Sequence, residues 1–112
     1  KSEVILSYLG LGVGVDQVLE RIPPGKRYYV TIDIDGFDPS IAPGTGTPSH
    51  GGFLYYEVLE LLAGLVKRGP VVGVDLVEVA PDYDHTGTTA ILGAQLLLNF
   101  VGRIMHQRTQ KP

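Results

Sequence analysis

Two apolar runs in this chain end in carboxylates, and that pairing limits the available folds more than any other feature. The first, Tyr28-Tyr29-Val30-Thr31-Ile32-Asp33-Ile34-Asp35, is built from aromatic and β-branched residues that suit a pleated surface. Gly36 and Pro39 stop strand pairing just beyond it. The second, Val71-Val72-Gly73-Val74-Asp75-Leu76-Val77-Glu78-Val79, is nearly continuous in apolar residues, as strands covered on both faces are. It too finishes in an acid.

Helical periodicity surrounds these runs. Val15, Val18, Leu19 and Ile22 fall at i, i+3, i+4 and i+7, with Asp16 in the first turn and Pro23-Pro24-Gly25 as a stop. Val58, Leu61, Leu62 and Leu65 mark a second helix, with Glu57 and Glu60 facing elsewhere; Lys67 and Arg68 suit its C-terminus and Gly69-Pro70 closes it. A third helix is predicted from Thr88 to Met105. It is apolar on most sides and so expected to be largely buried. Helix, strand, long loop, helix, strand, loop, helix implies βαβ crossovers and a parallel sheet in an α/β fold. Ligands of such sheets sit beyond the carboxyl ends of the strands, where both acidic clusters fall.

The loop from Ile34 to Phe53 carries Pro39, Pro43, Pro48 and several glycines. A constrained loop of that length within a small domain points to function. Asp33 and Asp35 are two apart, so an extended backbone sends both side chains from one face. Two crowded carboxylates are costly unless a cation neutralises them. Oxygen donors in a chain without cysteine favour Mg²⁺ or Mn²⁺ over zinc. A calcium loop would need an acid where Phe37 stands. Residue types alone leave two enzyme readings open. One is a magnesium D-x-D phosphatase, with Asp33 as nucleophile and Asp35 as acid; the other is a two-metal hydrolase. A non-catalytic scaffold with a degenerate site is a third reading.

The net charge of −3, with no basic cluster, argues against nucleic acid. The 112 residues suffice for one core. The run from Ala90 to Val101 is broken by Gln95 and Asn99 and is too short to span a bilayer, so no membrane association is expected. Leu96-Leu97-Leu98 is read as core or subunit interface. The segment Glu3–Leu9 is predicted as a short strand. Gly10, Gly12 and Gly14 read as a connection into the first helix, because Val15 breaks the G-x-G-x-x-G spacing. The chain opens on Lys1 and reaches strand-like residues at once, which leads to the expectation of a part of a longer protein.

Three linked motifs carry a resemblance. They are Thr31-Ile-Asp-Ile-Asp-Gly-Phe-Asp-Pro39, then Ala42-Pro-Gly-Thr-Gly-Thr-Pro48 with Gly51-Gly52, then Gly73-Val-Asp-Leu-Val-Glu-Val-Ala-Pro81-Asp-Tyr-Asp84. In this order, over about residues 28 to 104, they resemble the C-terminal third of the ureohydrolase family, which includes arginase, agmatinase and guanidino-acid hydrolases. The Ala-Pro-Gly-Thr-Gly-Thr-Pro loop looks more like the agmatinase branch.

The resemblance implies a three-layer α/β/α fold, of which residues 1–112 are the C-terminal part of a single domain. It implies a binuclear Mn²⁺ centre and hydrolysis of a guanidino compound to urea by a metal-bridging hydroxide. Asp33 and Asp35 match the family's Asp-x-Asp metal ligands, with Asp35 at or near the bridging position and so catalytic. Glu78 matches the acid that pairs with the substrate guanidinium, and Thr47 a threonine beside that acid. A homo-oligomer acting on a small guanidino substrate is implied, and a cytoplasmic location is expected.

The family's remaining ligands come from upstream Gly-Gly-Asp-His and Asp-Ala-His-x-Asp motifs, which this sequence lacks. His50, His85 and His106 do not match them. His50 is read as a solvated loop histidine, with a substrate contact as the alternative, and His106 suits a helix C-terminus. The chain alone is therefore expected to bind manganese poorly and turn nothing over. Asp75 is read as a structural hydrogen-bonding residue, and Asp38, Asp82 and Asp84 as turn residues. Tyr55-Tyr56 is read as packing at a helix start.

Overall fold

The computed structural model describes residues 14–110. The predicted Glu3–Leu9 strand, with Gly10 and Gly12, lies outside them. The described elements run α1 (Val15–Glu20), β1 (Tyr28–Asp33), a short 3₁₀ turn (Ile34–Gly36), α2 (Tyr55–Arg68), β2 (Val71–Val77), a second 3₁₀ turn (Pro81–Tyr83) and α3 (Thr88–Thr109). This is the predicted order, and β1 and β2 pair in parallel as the alternation requires.

The register sets Tyr29 opposite Gly73, Thr31 opposite Asp75 and Asp33 opposite Val77. Both strands therefore run out at one rim. Because side chains alternate across a sheet, Ile32, Val74 and Leu76 share the opposite face and join the core. That face packs with the inner sides of α2 (Val58, Leu62, Val66) and α3 (Leu92, Leu96, Phe100). Leu96 and Phe100 are fully buried, as are Ile34, just past β1, and Ala42 in the long loop. Gly93 lets α3 approach the sheet, since a Cβ there would stand 3.3 Å from Leu76 Cδ2. The other face of β1, with Tyr29, Thr31 and Asp33, is exposed.

Helix α2 begins where the Leu54 N–H donates to the Glu57 carboxylate across 2.7 Å, satisfying one of the orphan amides of the first turn. At its other end Lys67 and Arg68 meet the negative pole of the helix. Of the tyrosine pair, Tyr55 packs against the core and its hydroxyl accepts from Asn99 at 2.7 Å. Tyr56 instead stands out in solvent, edge-on to Tyr55.

The expectation that α3 is largely buried does not hold. One face is (Thr89, Leu92, Gly93, Leu96, Phe100). Ile91, Leu98, Val101 and Met105 line a second apolar face that is exposed, with Leu98 at 75%. No described element packs on that face, so apolar sequence on most sides produced burial on one side only. The helix also outruns the predicted end. At 22 residues it is long and apolar enough to cross a membrane by length and composition, while its inner face is committed to this core.

Candidate active site

The acids meet at the rim where β1 and β2 end. Asp33 closes β1, and its Oδ1 accepts the Asp35 N–H at 3.0 Å. This hydrogen bond caps the 3₁₀ turn that carries Asp35, so the backbone leaves the strand just where the second acid is needed. Glu78 directly follows β2, next to the residue opposite Asp33. Desolvation pushes the Asp33 carboxyl above its ordinary range, and the negative charges of Asp35 and Glu78 push the same way. The Asp35 N–H opposes them in part. A carboxylate within electrostatic reach of two others favours a bound cation.

Glu78 has a φ of +73°, the one non-glycine among the described residues on the left-handed side. A side chain with a Cβ pays of order 1–2 kcal/mol there. Strain of this kind gathers at functional sites, and no residue pattern around Glu78 signals it.

Thr47 comes to the acids from the long loop. Its hydroxyl donates to Asp35 Oδ2 at 2.6 Å, a charge-assisted length. The resemblance set Thr47 beside the guanidinium-pairing acid; the structure ties its hydroxyl to Asp35. The loop is fixed at several points. Phe37 and Phe53 form a parallel bridge at its base. Asp38 accepts from the Ser40 N–H at 3.1 Å and the Gly51 N–H at 2.9 Å, so it joins the two ends of the loop as well as forming a turn. Those bonds, first among them the Ser40 hydroxyl's, hold the Asp38 carboxyl below its ordinary range.

A second clamp was not foreseen. Asp84 is buried and accepts from the Thr89 N–H (2.8 Å), the Thr86 hydroxyl (2.6 Å) and the Thr86 N–H (3.2 Å). Thr89 Oγ1 in turn accepts from the Gly44 N–H at 2.8 Å, and the Gly44 carbonyl accepts from the Ala80 N–H at 2.7 Å. The Gly-Thr-Gly-Thr-Pro loop, the segment after Glu78 and the start of α3 are thereby locked together. Gly44 is obligatory, because a Cβ would lie 2.8 Å from Asp84 Cβ and 2.9 Å from Thr89 Oγ1. An acid followed at i+2 and i+5 by threonines before a helix is the sequence signal that could have revealed it.

Asp75 sits two residues behind the rim. The Tyr29 hydroxyl donates to its Oδ2 at 2.9 Å, and the Tyr29 ring lies over Gly73, where a Cβ would come within 2.6 Å of it. The hydrogen bond to Asp75 and its negative charge hold the Tyr29 phenol in its protonated form above the usual range. Asp75 Oδ1 is buried and has no partner. His50 and His85 are exposed loop residues, and His106 lies in the last turn of α3.

Among the described residues no three histidines, cysteines or acids are grouped closely enough to hold a metal ion. Asp33 and Asp35 fit as two oxygen ligands of a hard divalent cation, since both carboxylates stand at the rim within electrostatic reach of each other. They do not complete a coordination shell.

A profile of the arginase family matches residues 6–102. The chain is 48% identical to proclavaminate amidinohydrolase of Streptomyces clavuligerus over 97 residues, covering 82% of this chain and 30% of that protein. It is 52% identical to the mitochondrial agmatinase of Gallus gallus over 73 residues, or 65% of this chain and 21% of that one. Among solved structures, a hypothetical agmatinase from Burkholderia thailandensis superposes with a TM-score of 0.78 at 34% identity, covering 98% of this chain and 39% of that one. The chain thus spans less than half the length of each of these proteins.

Proposed function

The chain belongs to the arginase family, and from that membership we propose that it is the C-terminal part of a manganese-dependent hydrolase that cleaves a guanidino compound to urea and an amine. The observation that carries this reading is the meeting of Asp33, Asp35 and Glu78 at one sheet rim, with the proton affinity of Asp33 raised by its surroundings. The names of the relatives, an amidinohydrolase and an agmatinase, support the substrate class.

Asp33 and Asp35, at the end of β1, would hold the metal. When bound, manganese supplies Lewis acidity and lowers the pKa of a water toward neutrality. Glu78 binds the planar guanidinium by a paired hydrogen-bonded contact, the geometry that best matches such a cation. Thr47 gives its hydroxyl to Asp35 and so acts by fixing that carboxylate's orientation. The remaining ligands belong to the larger part of the fold that the relatives possess and these 112 residues do not. The enzyme works as a cytoplasmic homo-oligomer, and the 112-residue chain alone is inactive.

The test is a urea assay on the complete manganese-loaded polypeptide with agmatine, guanidinobutyrate and guanidinopropionate. Urea from at least one of them is expected, with none from the 112-residue chain. No urea from any of them, with manganese bound, overturns the hydrolase reading. Urea from the short chain overturns its assignment as an incomplete part.

A further inference from the structure

The orphan oxygen of Asp75 is the least explained polar atom near the site. A buried carboxylate oxygen without a partner is destabilising, and native structures seldom leave one so. The atom is buried, while the other oxygen is already occupied by Tyr29. Asp75 pairs with Thr31, two residues behind Asp33, and shares the exposed face of the sheet with both. At a rise of about 3.3 Å per residue, it stands roughly 7 Å behind the rim acids along the strand. Tyr29, opposite Gly73 and farther from the rim, holds Oδ2 back, so Asp75 is read as a partner of a ligand and not as a ligand itself.

The missing partner must be a donor, and its chemistry is constrained. A lysine or arginine would put a second cation beside the bound ion. A water on the ion would reach back only one hydrogen bond. An imidazole spans the gap best, because its two nitrogens lie on opposite sides of the ring: one binds metal while the other donates N–H to a carboxylate, the usual arrangement around metal-ligating histidine. None of the described histidines stands there. The Tyr29 hydroxyl accounts for the other oxygen, Oδ2, and leaves Oδ1 as the atom to be explained.

We propose that Asp75 is a positioning residue of the metal site: its Oδ1 accepts the ring N–H of a histidine whose other nitrogen ligates the ion held by Asp33 and Asp35. The inference rests on the hydrolase reading above, and its test separates the two. The readout is the Mn²⁺ dissociation constant of the complete polypeptide, measured by calorimetry, with thermal unfolding of the metal-free protein as the control for folding. Asp75→Ala should weaken Mn²⁺ binding about 10- to 100-fold, the usual effect of removing such a partner. Asp75→Asn keeps an acceptor oxygen but loses the charge, and should show a smaller loss. Tyr29→Phe frees only Oδ2 and should bind like wild type. If Asp75→Ala does not fold, the other two variants decide: weaker binding in Asp75→Asn with Tyr29→Phe unchanged supports the assignment. Wild-type affinity in every foldable Asp75 variant overturns it, leaving the hydrolase reading intact. A wild-type protein that binds no manganese overturns both.

Discussion

The hydroxyl of Thr47 donates to Asp35 across 2.6 Å, joining the proline-rich loop to the rim of the sheet. The bond fixes a carboxylate that would otherwise rotate freely on a 3₁₀ turn. Thr47→Val, which keeps the shape and loses the donor, should weaken Mn²⁺ binding by about 10-fold or more, while Thr47→Ser keeps most of it. Calorimetric titration of the complete polypeptide checks this. Equal affinities in wild type and Thr47→Val would show that Asp35 is oriented by something else.

Asp33 should make the metal-free protein sensitive to pH in a definite direction. Its folded pKa is raised above the ordinary 3.8, so its contribution to stability is fully present below that value and is lost as pH rises through the folded pKa. Asp33→Asn should therefore raise the melting temperature of the metal-free protein at pH 7 and leave it nearly unchanged near pH 3. With saturating Mn²⁺ the order should reverse, because the ion stabilises only the variant that can bind it well. Melting curves at two pH values, with and without metal, give all four comparisons.

For Asp84 the sign is opposite. Its hydrogen bonds to Thr86 and Thr89 push the carboxyl well below the ordinary carboxylate range. Its stabilising effect is present above the ordinary value of 3.8 and is lost as pH falls from there toward the folded pKa. Asp84→Asn should remove that acid-side dependence and lower the melting temperature at pH 7. The clamp can also be broken from the loop side. Gly44→Ala forces a methyl into Asp84 and Thr89 and should cost about 1–3 kcal/mol by overpacking. Thr89→Val leaves the Gly44 N–H unpaired at a comparable ~1–3 kcal/mol. Urea denaturation midpoints measure each.

If Glu78 has the role proposed for it, stability and activity are set against each other there. Replacing it with glycine relieves about 1–2 kcal/mol of left-handed strain and adds back about 0.5–1 kcal/mol of chain entropy. The net change should be neutral to about 1.5 kcal/mol stabilising, while binding of a guanidino substrate collapses. A denaturation midpoint that falls in Glu78→Gly would mean that the carboxylate itself holds the fold.

The strands, the parallel sheet and the acids at the strand ends were legible because period and composition are local signals. Val71–Val77 forms the predicted strand and Asp33 ends its run, but β2 is not covered on both faces as its apolar run led one to expect: Val72 is 58% exposed and Val77 39%. The clamp around Asp84 was not legible, because Gly44 and Thr89 meet only after the chain folds. Thr47 reaching Asp35 depends on a loop closed by Phe37 and Phe53, a long-range bridge with no periodic signature. The exposed apolar face of α3 misled the burial expectation for a related reason: hydrophobicity says that a surface seeks cover, not that the cover is at hand.

The pairing of Asp33 with Val77 has an evolutionary consequence. Sliding β1 by one residue would turn Asp33 into the oily layer beneath the sheet and lift Ile32 into the reactive rim. A mutant chain therefore cannot drift gradually away from its chemistry through small shifts in pairing. Every such shift also ruins the packing, so a slipped pairing loses the fold and the acidic rim together.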